Sequence, residues 1–450
     1  MALARKLLIR VMVLALGGAL GNSAFAQSAT ALSDCATPKL VTFTLSAAFT
    51  RLAQCNLDVR AALQGIEGAR ADIITAGQKP NPTLTVGVGS ISFSNGLGAG
   101  GITQKQVDTQ ARIDQTIERG NKAPLRIAAA ERGVDVSRWT AAETLRQQQL
   151  SLASNWVDAW LAQERVKLAQ NVVALYKRTS DASEKRLKAG DIAPNDLARI
   201  SLEALRVQGD LAQAEADAKR AALSLAALLN VPPSALGEIK EAWQAAVVAE
   251  SSRSDSLARI RPDIRAAAAQ SDTADAQRAV AKSQQTRDVS VGVQLDRYPS
   301  PAGQGNTLGV FMSVPLFTNH RNEGAVARAE ADYTQAYVNF IKVVNTARAE
   351  ETRALSERQA QAARVTRMQS QTLPLAEKLA ANAELAYQKG AMGVLDLLDA
   401  LRQLRQTQTD ALAARADFDK ADAAWRGARN DVAALDDPLF GSAYRLAVTP

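Results

Sequence analysis

The chain has 450 residues, enough for a large core, with 47% hydrophobic but only 4% aromatic residues and a formal net charge of +7. Its wealth of Ala, Leu, Gln, Arg and Glu is that of long helices, and one His and two Cys leave little material for metal or nucleophile chemistry. No catalytic constellation, phosphate loop or metal-ligand cluster can be read, which argues against an enzyme, a cofactor or a resident metal; basic and acidic residues intersperse as solvated helix faces, which argues against a nucleic-acid partner.

Residues 1–26 read as a secretory signal peptide. Arg5, Lys6 and Arg10 form a positive leader, Val11 to Leu20 a short apolar run, and Ala24-Phe25-Ala26 a cleavage site before Gln27. Removing these three basic residues takes the balance from 53 basic against 46 acidic to 50 against 46, a net +4. No later stretch approaches the roughly 20 apolar residues of a membrane helix. An exported chain of this kind belongs to the periplasm, the medium or an outer-membrane β-barrel. Cys35 and Cys55, 20 apart in an exported chain, are expected to form a disulfide that pins the N-terminal segment 27–44 to the first helix.

The spacing predicts a first helix over 45–78. Leu45, Phe49, Leu52, Val59, Leu63, Ile66 and Ile73 fall on alternating steps of four and three, with Asn56 and Arg70 at the skipped positions, a coiled-coil repeat. Lys79-Pro80-Asn81-Pro82 stops it. The period then changes to two. Leu84, Val86 and Val88 alternate with Thr85, Gly87 and Gly89; after a turn at 94–101, Val107, Thr109, Ala111 and Ile113 alternate with Asp108, Gln110, Arg112 and Asp114. A helix of about 122–187 follows, near 100 Å at 1.5 Å per residue. Gly190 closes it, and Pro194 opens the next helix, to about 230.

The same order is then written again. A connector covers 231–256, a helix about 262–285, and a hairpin about 287–317 with a turn at 299–306. In it Val289, Val291, Val293 and Leu295 alternate with Ser290, Gly292, Gln294 and Asp296. A second long helix is expected over 322–387, with Gly390 as its break and a last helix over 393–434. The organisation is thus a first repeat over 45–230 (hairpin about 83–118, tip turn about 188–194), a second over 257–435 (tip turn about 388–394) and a tail over 436–450. Residues 187–208 and 387–408 stand 200 apart with Gly190 over Gly390, Asp196 over Asp396, Leu197 over Leu397 and Gln208 over Gln408.

Four amphipathic strands of about ten residues suit an outer-membrane barrel, with Asp108, Gln110, Arg112, Asp114, Gln294 and Asp296 on a watery lumen. They also suit a soluble meander. Four strands cannot close alone in lipid, so edges would pair with other copies; two, three or four copies give eight, twelve or sixteen strands. His320 reads as junction polarity. Asp396 and Asp399, with Asp196, are either an acidic ring at an entrance or carboxylates favoured at helix starts.

The duplicated order, with QTIERGNKAPLRIA at 115–128, VPLFTNHRNEG at 314–324, RPDIRAAAAQ at 261–270 and the paired tip turns, resembles the TolC-type outer-membrane efflux channels over nearly the whole mature chain. RLKAGDIAPNDLARISLEALR at 186–206 and TRDVSVGVQLDRYP at 286–299 are most similar to the cobalt-zinc-cadmium and nickel-cobalt resistance branch. The chain departs from that branch in having no lipid-bearing Cys after its signal, and in having Arg119-Gly120-Asn121-Lys122 where a Gly-Gly-Lys-Arg-like turn is common. The resemblance implies a mainly α fold with a small β part. It further implies a homotrimer whose twelve-stranded barrel sits in outer-membrane lipid and continues as a helical tunnel into the periplasm. Such a channel passively accepts cargo from an inner-membrane resistance-nodulation-division (RND) pump through a periplasmic adaptor, here divalent heavy-metal cations. The turns at Gly190 and Gly390 would be the periplasmic tips. The alternatives are the same channel with drug or protein cargo, and a soluble periplasmic coiled-coil adaptor or scaffold.

Overall fold

The structure is a computed structural model. It describes residues 44–91, 107–239, 261–300 and 303–430, with Cys35, Phe93 and Trp243. The signal peptide with Ala26 and Gln27, most of segment 27–44, the turn at 94–101, most of the connector and the tail 436–450 lie outside the described residues.

The fold is mainly helical with one small antiparallel sheet. In the first half α1 spans Leu45–Cys55, α2 Leu57–Gly77, β1 Thr83–Gly89, β2 Asp108–Ile117, α3 Lys122–Lys188 and α4 Pro194–Leu228. In the second, α5 spans Pro262–Ser283, β3 Val289–Ser300, β4 Gly303–Ser313, α6 Glu323–Arg367, α7 Leu373–Gln388 and α8 Val394–Ala428. α3 has 67 residues, about 100 Å of helix. It packs against α2 and then α4 on one side and against α5 and then α8 on the other, with α6 beyond α5 and α8.

Three expectations are corrected. The first helix is broken at Asn56, whose backbone is extended; its side chain accepts from the N–H groups of Asp58 and Val59 and so caps α2. A polar residue in a heptad column there marked a cap. The second long helix is not continuous either. A π-helical turn, Met368–Thr372, separates α6 from α7. Pro374 has no N–H and its ring would strike the carbonyl four residues earlier; the wider turn, with Leu373 N–H donating to the carbonyl of Met368, accommodates it. In the second hairpin, strand pairing runs through Pro299–Gln304 to Ser300–Gly303, so residues 299–300 and 303–306 of the expected turn are paired strand. Pairing there overrides a Pro- and Gly-rich composition, and a Pro is tolerated at a strand end.

Two helix ends meet two helix starts. The carbonyl of Leu228 accepts from the Asn56 amide at 2.9 Å, and those of Leu229 and Asn230 accept from Arg51. At the end of α8, Arg146 donates to the carbonyl of Gly427 at 3.0 Å and Arg261 to that of Ala428 at 3.2 Å. Carbonyls that a helix C-terminus leaves without intrahelical partners are thus satisfied across the joint. α4 abuts α2, and α8 abuts α5. The main core lies beside these joints: Phe49, Leu52, Leu152, Trp156, Leu225 and Trp243 pack there. Cys35 and Cys55 are disulfide-bonded, with Cα atoms 5.6 Å apart.

The sheet order is β1-β2-β3-β4, every pair antiparallel, so β2 and β3 join the two hairpins. Its register aligns Leu84, Ile113, Val293 and Val310 in one row, and Thr85, Arg112, Gln294 and Gly309 in the next. Rows alternate between the two faces.

Candidate functional site at the sheet and the helical tips

The strand-to-helix junctions use the same device twice. Asn121 (φ 55°) and Asn322 (φ 63°) turn through the left-handed region immediately before α3 and α6. Asn tolerates this conformation better than most residues. Gly120 (φ 74°) is also left-handed and lies against Thr286, whose side chain would stand 2.7 Å from any added Cβ. His320 is exposed at the second junction.

The two faces of the sheet are chemically distinct. Leu308, Val310 and Met312 on β4 are 72%, 75% and 74% exposed, and Leu84, Val86, Val293 and Leu295 share that open apolar face. Asp108, Gln110, Arg112, Asp114, Gln294 and Asp296 all fall on the other face. There the side chains bond to one another. Arg112 donates to Asp114 at 2.8 and 2.9 Å, Gln294 to Asp296 at 2.7 Å and to Gln110 at 3.3 Å, and Ser90 pairs with Asp108.

The other candidate residues sit at the far end of α3. Both tips end their first helix in the same two-bond cap. Gly190 N–H donates to Leu187 and Asp191 N–H to Arg186; Gly390 N–H donates to Tyr387 and Ala391 N–H to Ala386. The glycines hold φ 81° and 76°, which a Cβ would disfavour. The next helices start from extended Ala193 and Gly393. Asp196 and Asp396 lie in their first turns, beside the positive end of the helix dipole. Asp396 and Asp399 are exposed, and Asp399 accepts from Arg402 at 3.1 Å. The sheet residues and the tip residues are therefore two separate sites.

The contacts that couple the tips were not foreseen. Arg186 donates to the carbonyl of Tyr387 at 3.0 Å and stacks on its ring at 4.7 Å, while the Tyr387 hydroxyl meets Ser183 at 3.0 Å. Arg402 pairs with the buried Glu203, and Arg405 with Asp210. Burial, and after it the Glu203 charge, raises the Tyr176 pKa. Beneath lie Val172, Tyr176, Ile200, Val207, Leu397 and Leu401. A signal did exist. At an offset of 200, Arg186 stands over Ala386, Leu187 over Tyr387, Leu202 over Arg402 and Glu203 over Gln403. The backbone turns are built where the copies agree, and the bonds between hairpins where they differ.

Among the described residues no three His, Cys, Asp or Glu side chains gather as a metal site, and no helix is long and apolar enough to cross a membrane. Three comparisons bear on this geometry. The chain is 28% identical over 376 residues to the cobalt-zinc-cadmium resistance protein CzcC of Cupriavidus metallidurans, covering 81% of this chain and 84% of that protein. It is 25% identical over 380 residues to nodulation protein T of Rhizobium leguminosarum bv. trifolii, covering 78% of each. In fold it is similar to crystal structures of CusC, described for transmembrane channel formation, with a TM-score of 0.70, 17% identity, and coverage of 88% of this chain and 96% of that one. The family model described as outer membrane efflux protein matches residues 49–231 and 254–430, and the chain belongs to that family.

Proposed function

We propose that the protein is the passive outer-membrane exit channel of a tripartite efflux system, assembled as a homotrimer with a twelve-stranded barrel. The observation that carries this reading is the sheet. It has two open edges, β1 and β4, an exposed apolar face, a hydrogen-bonded polar face, and a 67-residue helix leading away from it. Open edges in lipid would leave backbone groups unpaired at several kcal/mol each, so the edges pair between copies. Three copies turn the apolar face to lipid and the polar face to a watery lumen.

In this reading the helices reach into the periplasm, and the turns at Gly190 and Gly390 form the narrow end that meets an adaptor and an RND pump. Asp196, Asp396 and Asp399 line that aperture, where carboxylates attract cations without the tight ligation that would stop them leaving. The cargo is a divalent heavy-metal cation of the cobalt, zinc, cadmium and nickel class, a reading supported by the likeness to CzcC. The similarity to nodulation protein T favours a second reading, the same channel with a different cargo.

Deleting the gene and complementing it from a plasmid tests the cargo. Growth and cell-associated metal are measured in Zn, Co, Ni and Cd, beside a panel of dyes and antibiotics. Metal sensitivity with raised metal content and no drug phenotype is expected. Drug sensitivity without a metal effect would remove the metal assignment and keep the channel.

A further inference from the structure

Within the paired strands the polar face carries four charged side chains: Asp108, Arg112, Asp114 and Asp296. Arg112 is the one cation among them, and it is held flat. Its Nε and Nη2 both donate to Asp114 Oδ1, at 2.9 and 2.8 Å, and its guanidinium lies 4.6 Å from the centre of the Phe311 ring. The Arg112 and Asp114 side chains are only 29% and 24% exposed.

Both holding groups are seated on glycines. A Cβ added to Gly292 would stand 2.2 Å from Asp114 Oδ1, and one added to Gly309 would stand 2.9 Å from the Phe311 ring. Asp114 therefore folds over Gly292, its neighbour across β2 and β3, and Phe311 folds back over Gly309 on its own strand. A long guanidinium is gripped on one edge by a carboxylate and on one face by a ring, a geometry that suits its planar cation.

We infer that Asp114 and Phe311, seated on Gly292 and Gly309, are positioning residues that keep the Arg112 charge against the barrel wall and so make the lumen select for cations. The inference rests on the barrel reading above. Released, the Arg112 side chain would swing its charge into the lumen. Three copies would then ring the passage with positive charge within about a Debye length of its axis. Clamped, Arg112 is offset by Asp114, and the remaining charges of this face, Asp108 and Asp296, are negative.

The test uses purified full-length protein in planar lipid bilayers under a KCl gradient, with the reversal potential as readout. Wild type is expected to prefer K⁺. F311L and G292A leave the charge of the chain unchanged, yet each should lower the K⁺ to Cl⁻ permeability ratio by about threefold or more by freeing Arg112. D114N should do so at least as strongly. In an R112Q background F311L should have no effect, because no guanidinium is left to release. Two charge-neutral variants, one of a holding group and one of a seat, are used so that poor assembly of one still leaves a reading from the other. Conducting F311L and G292A channels with the wild-type ratio would overturn the inference and leave the channel standing. A wild-type protein that forms no channels would overturn the barrel reading and the inference with it.

Discussion

Asp419 and Asp422 lie three residues apart on α8, both without solvent exposure, and are treated differently by their neighbours. Asp422 accepts from Arg358 and Arg426 at 2.7 Å and from the Trp243 indole at 3.2 Å. Among the described residues Asp419 pairs with Arg415 alone, at 3.2 Å, and burial pushes its carboxyl up to about 6, with the Asp422 charge adding to the rise. An acid raised above its unfolded value of 3.8 holds its proton longer in the native state. Its contribution to stability is therefore fully present below about pH 4 and is lost as pH rises to about 6, a change of roughly 2–3 kcal/mol. D419N is expected to melt near wild type at pH 4 and above it from pH 6 upward, the gap widening only between those values. Melting curves of detergent-solubilised protein across pH 4–8 check this, and a gap that stays flat across that range would show that Asp419 is charged throughout.

At the scale of elements, the two long helices differ because of one aligned column. Ala174 in α3 stands 200 residues before Pro374, which follows the π turn. α3 is continuous and its counterpart is divided into α6 and α7. P374A is expected to restore regular α-helical bonding, seen as slower amide hydrogen exchange over residues 366–380. A174P is expected to cost about 3 kcal/mol or more, since it removes a helix bond with no widened turn to receive the ring. Unchanged exchange in P374A would place the cause of the π turn in packing and not in the proline. The same scale explains Asn56. Its amide serves the α4 terminus 172 residues away while its oxygen caps α2, and that partnership is invisible in a local pattern.

At the scale of the molecule, the two faces of the sheet make opposite demands. Val310 lies on the apolar face and Gln294 on the polar one. A lysine on a lipid-facing strand costs about 2–4 kcal/mol at mid-membrane, whereas a lumen position tolerates it. On the barrel reading, V310K is expected to reduce the outer-membrane yield of an oligomer that survives unheated electrophoresis, and Q294K to leave it near wild type. Equal yields of V310K and wild type would mean that this face does not meet lipid.

Much of this organisation was legible in the chain. Period-two alternation marked the four strands and sorted Arg112, Asp114, Gln294 and Asp296 onto one face, because strand geometry alone assigns alternate residues to opposite sides. The twin glycines marked the tips, because a left-handed residue at a helix end is a local requirement. Tertiary structure alone decided that β2 lies beside β3, that the Arg186 guanidinium stacks on Tyr387, that Arg402 reaches Glu203 and that Phe311 covers Arg112. Each of these joins residues about 180 to 200 positions apart. Periodicity reports the face on which a side chain stands. It does not report which distant side chain closes over it, since that choice follows from how the two repeats pack around α3.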